Sequence, residues 1–186
     1  MLGKTHGAAG VLSGLLLANY VFKDIHIVQT IGIVAVTTAG SLFPDIDHGN
    51  STLTNRFPQI SHYFSRYLTS CTVGFGDAKY TQSLISHRGY AHSIFMLISL
   101  FIYLLPVLFF GLDYFLIWVF LSVGIISHLL LDVVTIDGIR LFAPFSNKKF
   151  SLTYIRTGGI EEIIIRLLII TGIIYVIYKI FVGAIY

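Results

Sequence analysis

Cysteine and charge are both scarce in this sequence. The single cysteine, Cys71, excludes an internal disulfide framework and any zinc site built from several thiolates. A bound metal would therefore have to take imidazole and carboxylate ligands. Charged residues make up 11% of the 186 positions, under half the share of about 25% in soluble domains. With 55% hydrophobic residues, the chain is neither disordered nor an ordinary cytosolic globule. It has no G-x-S-x-G nucleophile elbow and no Walker or Rossmann glycine loop, and Cys71 has no histidine close by in sequence.

What is present is length of apolar run. Charge-free stretches cover 5–22, 25–44, 89–112 and 114–131, close to the roughly 20 residues that a membrane-crossing helix needs. Five spans are expected: Gly7 to Phe22, Ile25 to Phe43, Ser93 to Leu112 with a kink at Pro106, Tyr114 to Leu131, and Ile160 to Tyr186. The last is interrupted near its ends by Arg166 and Lys179, whose long side chains can snorkel to the interface. No small-x-small cleavage site precedes Lys23, so the first run reads as a retained helix rather than a signal peptide. The fold class expected is all-α, a polytopic membrane helix bundle formed by a single domain over residues 1–186.

Five spans put the N-terminus, residues 45–88 and residues 132–160 on one side. That side holds Lys4, Arg56, Arg66, Lys79, Arg88, Arg140, Lys148, Lys149, Arg156 and Arg166, against Lys23 and Lys179 on the other. This bias makes the N-terminus and both larger loops cytoplasmic in a cell membrane. The formal charge of +3 fits contact with anionic lipid better than nucleic acid, which is not an expected partner. The segment 45–88 is rich in Ser, Thr, Asn, Gly and aromatics, and its centre, Pro58 to Ser70, has the pattern of an amphipathic interfacial helix or of a solvated loop.

Sorted by this topology, the ionisable groups fall in one layer. His6 precedes the first span, and Asp45, Asp47 and His48 follow the second. His87 and His92 enter the third, His128 and Asp132 end the fourth, and Glu161 and Glu162 open the fifth. Such groups near the bilayer cost about 2.5–3.5 kcal/mol on insertion scales and normally have partners. His128 and Asp132, four apart, share one helix face and suit one divalent cation, although a His–Asp hydrogen bond uses the same spacing. His87 and His92 are five apart, which turns them about 140° from each other on a helix. Gly89 offers the break that would let both approach one point, with Arg88 as a fixed cation beside it or simply a basic anchor. His26 and His62 fit no cluster.

The order of these motifs resembles one family. Thr5-His6, Leu42-Phe43-Pro44-Asp45-Ile46-Asp47-His48, His87-Arg88-Gly89 with His92-Ser93, Ser127-His128 through Asp132, Thr135, Gly138, Pro144-Phe145-Ser146, and Thr157-Gly158-Gly159 leading to Glu162 are similar to the YdjM-like, LexA-regulated inner-membrane proteins of bacteria. That family is classed as membrane-bound metal-dependent hydrolases. The match departs from the usual pattern at Ile136, where proline is common, and at Ala91, where threonine is common; neither removes a candidate ligand. The resemblance implies hydrolase activity and a likeness in fold and ligand type to zinc phospholipase C and zinc-dependent single-strand nucleases.

The reading that follows is an enzyme. His6, Asp45, Asp47, His48, His87, His92, His128, Asp132 and Glu162 are the candidate metal ligands, for one to three divalent ions. Zinc is expected, with manganese or magnesium as alternatives. Asp47, Arg88 and Glu162 are the candidate catalytic groups: a carboxylate as general base, drawn from Asp45, Asp47 or Glu162, and Arg88 against phosphoryl charge. The expected substrate is a phosphoester of a membrane lipid or other amphiphile, with Lys148-Lys149 near its headgroup. The rivals are an ion- or proton-coupled transporter and a metal-stabilised scaffold. The transporter predicts ionisable groups across the membrane depth, whereas the middles of the apolar runs hold no Asp, Glu, Lys or Arg. Oligomeric state has no signature in the sequence.

Overall fold

The computed structural model describes residues 1–22, 25–47, 51, 54–55, 57–72, 76, 79, 82, 88–104 and 112–183. The described residues include six α-helices: α1 (Gly3–Leu16), α2 (Ile27–Leu42), α3 (Pro58–Thr72), α4 (Ile94–Leu104), α5 (Leu112–Val133) and α6 (Ile160–Gly183). A π-helical turn, Leu17–Val21, prolongs α1, and short 3-10 turns occupy Pro44–Asp47 and Tyr90–His92. No strand forms among the described residues. Two isolated bridges, Thr135 with Ile155 and Ile139 with Phe150, pin the segment between α5 and α6.

α1, α2 and α5 form the central layer, and α6 packs on α1. Small residues let their backbones approach closely, as in membrane helix pairs. A Cβ on Gly10 or Gly14 would collide with α2 at Ser41 or Thr37, one on Gly40 with the Leu121 carbonyl, and one on Gly124 with the Thr37 carbonyl. The α2 hydroxyls do not leave a polar seam, because they bond back to their own helix. Thr37 Oγ1 donates to the Ile33 carbonyl at 2.9 Å and Thr38 Oγ1 to that of Val34 at 2.7 Å. On the site's other flank, Ile46, Phe64, Leu68, Met96, Ile125 and Leu129 belong to one buried cluster joining α3, α4 and α5.

The helical character expected from the sequence is found; the five spans are found only in part. Among the described residues, two helices are long and apolar enough to cross a membrane by length and composition, Phe115–Val133 and Ile160–Val182. α2 is apolar but has 16 residues, and α1 has 14 before its π-helical turn. The third expected span is described only to Leu104, so Pro106 and its kink lie outside the described residues. In segment 45–88 the expected helix is present as α3, with Phe64 and Leu68 buried and Ile60 and Tyr63 exposed. The stretch that links α5 to α6 holds a compact, bridged loop.

Candidate metal centre

Five ionisable side chains converge where α1, α2 and α5 meet the turn before α4. His6 lies within α1, one turn from its start, rather than ahead of the helix. Asp45 lies in the 3-10 turn that ends α2. Pro44 opens that turn, its fixed φ compatible with a tight turn and its missing N–H lost at no cost to a helix that has ended. His92 closes the second 3-10 turn. The break expected at Gly89 begins one residue earlier: Arg88 has a φ of 61°, a left-handed conformation that redirects the chain before α4. His128 and Asp132 stack on one face of α5, as their spacing requires.

Two imidazoles stand at the middle of the cluster, with a carboxylate approaching from each of two elements. His92 Nε2 and His128 Nε2 are 3.2 Å apart. Asp45 Oδ1 lies 3.6 Å from His92 Nε2 and 3.7 Å from His128 Nε2. Asp132 Oδ2 lies 3.6 Å from His92 Nε2 and 3.5 Å from His128 Nε2. Four ligands around a tetrahedral ion with bonds of 2.0–2.1 Å sit about 3.3 Å from one another. The five distances, 3.2–3.7 Å, are at or somewhat above that length, and His92, His128 and Asp132 form one group of mutually close donors that could hold a zinc-sized ion.

The protonation pattern fits too. His128 Nδ1 lies 2.7 Å from the Ser41 carbonyl, which can only accept, so Nδ1 carries the proton and neutral His128 presents a bare Nε2 lone pair. This is the outer-shell bond that metal-binding imidazoles usually make. Two imidazole nitrogens at 3.2 Å repel unless a proton or a cation lies between them.

His6 supplies a fifth donor. Its ring stacks on His128 with centroids 3.6 Å apart, and Nε2 is 3.3 Å from Asp132 Oδ1. It is fully buried, and among the described residues Nδ1 has no hydrogen-bond partner while Nε2 faces Asp132. An unsatisfied buried nitrogen is costly, and a metal ligand role would offset that cost. His6 also groups with Asp45 and His128 in a second set of mutually close donors, which makes room for either a five-donor ion or two ions sharing ligands.

The carboxylates differ in access. Asp132 is buried, whereas the Asp45 side chain is 17% exposed. Burial works to raise the Asp45 pKa, but the nearby imidazoles of His92, His128 and His6 override it. The Asp45 carboxyl is therefore held well below the usual carboxylate range, ready as an anionic ligand. Asp132 Oδ1 is also 2.5 Å from the Met1 amine, and Arg88 Nε stands 3.8 Å from Oδ2.

Other candidates are placed differently. Glu162, expected as a ligand or base, is absent from both donor groups. Its Oε1 accepts from the Leu2 N–H at 2.6 Å and Thr5 Oγ1 at 2.7 Å, and Oε2 from the Gly158 N–H at 2.7 Å. Those three bonds make it a clamp between α6 and the N-terminal segment, because a carboxylate can gather several donors at a helix start. Arg88 is at the rim, held by Asp137 at 3.0 Å and near Thr135 Oγ1 at 3.4 Å. Asp47 is described in backbone only, and His48 and His87 lie outside the described residues.

Several contributors escaped the sequence reading: the Ser41 carbonyl, the Met1 amine, Asp137, and Thr5 as a partner of Glu162. A backbone carbonyl carries no residue-type signal. Asp137 could have been suspected as the one acid between Asp132 and Glu161.

Comparison with known proteins adds the following. The model of the YdjM inner membrane protein family matches residues 1–185. A protein of Bacillus subtilis (strain 168) named uncharacterized protein YvsG is 29% identical over 184 residues, covering 98% of each chain. No solved structure matches the chain.

Proposed function

The chain belongs to the YdjM inner membrane protein family, and on that premise we propose that it is a membrane-bound metal-dependent hydrolase cleaving a phosphoester of a lipid or other amphiphile. The observation that carries the reading is the convergence of Asp45 and Asp132 on the His92–His128 pair, with five donor–donor distances of 3.2–3.7 Å. His6 is the fifth ligand or the bridge to a second ion. A divalent ion bound there, zinc first and manganese or magnesium next, supplies Lewis acidity and lowers the pKa of a water toward about 7.

The chain's own groups do the rest. Ser41 fixes the His128 tautomer. Asp45, ionised and the cluster member that reaches solvent, would accept a hydrogen bond from the attacking water and orient it. Arg88 leaves Asp137 to neutralise negative charge on the phosphoryl oxygens, for which its fork of donors is suited. In this reading all five apolar runs cross the bilayer, the N-terminus is cytoplasmic, and the centre lies at the inner-leaflet interface. A lipid phosphoester would reach it by lateral diffusion.

The test is metal analysis of the detergent-purified chain, followed by assays on phospholipids, isoprenoid phosphates and short nucleic acids. His128→Ala and Asp132→Ala are each expected to lower bound metal and abolish hydrolysis while the protein stays inserted and folded. Absence of a stoichiometric divalent ion from the wild-type protein would refute the reading. One observation favours a second one: His6, His92, His128 and Asp132 are all buried, as in closed structural sites. Stoichiometric metal without hydrolysis of any amphiphile would identify a metal-stabilised scaffold instead.

A further inference from the structure

The segment between α5 and α6 presents exposed apolar side chains that none of the described residues covers. Leu152 is 76% exposed and Tyr154 88%, while Thr153 and Ile155 between and beside them are half-buried. This alternation is that of an extended strand, and it is fixed in place. The Leu152 N–H donates to the Val133 carbonyl at 2.8 Å, the Ile136 N–H to the Ile155 carbonyl at 3.0 Å, and Ser151 Oγ to the Thr135 carbonyl at 2.6 Å. Thr153 Oγ1 donates to the Val134 carbonyl. This extended segment is thus stapled to the end of α5 and the three residues after it, which holds its outward side chains away from the fold.

The staple also sets a depth. Val133 is the final residue of the candidate span Phe115–Val133, so the residue bonded to its carbonyl sits where that helix leaves the hydrocarbon. Tyrosine is a preferred residue at that level. The flanking charges have one sign: Lys148, Lys149 and Arg156 are exposed. The segment's single acid, Asp137, is spent on Arg88.

We propose that residues 148–156 form an interfacial foot, with Leu152 and Tyr154 inserted among lipids and Lys148, Lys149 and Arg156 on the headgroups of anionic phospholipids. The inference rests on the membrane-spanning part of the proposed function and not on its metal chemistry. A chain that binds no metal would leave it standing. Because the foot is tied to the helix turn that carries Asp132, it gathers anionic lipid within reach of the donor cluster. A basic residue near an anionic surface is worth about fivefold in local partitioning.

The test uses the whole chain in nanodiscs of equal parts phosphatidylcholine and phosphatidylglycerol. The native tryptophan, Trp118, is replaced by phenylalanine, and Tyr154→Trp supplies the probe; Leu152→Trp is the second probe should the first disturb folding. In one disc preparation only the phosphatidylglycerol carries bromine near the top of its acyl chains, and in the other only the phosphatidylcholine. Both bromolipids are expected to quench the probe, the glycerol lipid several-fold more, with Lys148→Gln/Lys149→Gln removing the difference. Quenching by aqueous iodide but by neither bromolipid would overturn the proposal. Equal quenching by the two bromolipids in the parent protein would overturn the anionic preference it asserts.

Discussion

Replacing Gly124 with alanine tests whether close approach of α2 and α5 builds the centre. Gly124 lies one turn before His128. An added Cβ would overlap the Thr37 carbonyl and stand 2.7 Å from the Ser41 amide nitrogen and 3.0 Å from the Gly40 carbonyl carbon. Ordinary contact distances are about 3.5–4.0 Å, so the helices must part by about 0.8 Å or more. The bond from His128 Nδ1 to the Ser41 carbonyl, now 2.7 Å, then stretches to about 3.5 Å, past the useful range. Overpacking of this kind costs about 1–3 kcal/mol, against about 0.8–1.0 kcal/mol gained from better helix propensity. Loss of an outer-shell bond to a ligand costs about 10–100-fold in metal affinity. Gly32→Ala is the control: a Cβ there meets nothing within 4 Å, so it keeps only the propensity gain. Thermal unfolding in detergent and zinc titration by competition with a chromophoric chelator read both effects. If Gly124→Ala matched the control in stability and affinity, the close-approach argument would be wrong.

Two further perturbations separate support from chemistry. Glu162→Gln turns an amide NH2 toward a donor that now meets carboxylate oxygen, and is expected to lower stability by about 1–3 kcal/mol while bound metal per chain stays unchanged. Loss of metal in elemental analysis would instead make Glu162 a ligand. Asp137→Asn removes an ion pair whose acid is largely exposed; unfolding should shift by less than about 1 kcal/mol, and hydrolysis of the phosphoester should persist, because Arg88 is released and not removed. Abolished turnover at unchanged stability would show that the pair, and not Arg88 alone, is needed.

Much of the site was legible before folding because the relevant physics is local. The i, i+4 spacing of His128 and Asp132 fixes their common face whatever the rest of the chain does. Pro44 and Asp45 after an apolar run announce a helix end. Glu162 shows the limit of that logic. A carboxylate at the start of a helix is equally consistent with a ligand, a base or a hydrogen-bond acceptor, and only tertiary structure brings the Leu2 and Gly158 N–H groups and the Thr5 hydroxyl to it. His92 shows the same limit. The turn that carries it into the cluster depends on Arg88 adopting a φ of 61°, which nothing in a non-glycine residue's identity demands.

Run length and residue type by themselves determined that this chain is helical, apolar and suited to a membrane, and that its scarce ionisable groups gather near helix ends. Those properties follow from the periodicity of the backbone and the cost of placing charge in hydrocarbon, which act on each segment alone. Tertiary structure alone decided which of those groups meet. Gly40 and Gly124 draw α2 onto α5 until the Ser41 carbonyl reaches His128, and the turn at Arg88 brings His92 to the same point. A cluster of donors spaced 3.2–3.7 Å apart is a property of helix packing, set by how closely backbones can approach, and no single segment encodes it.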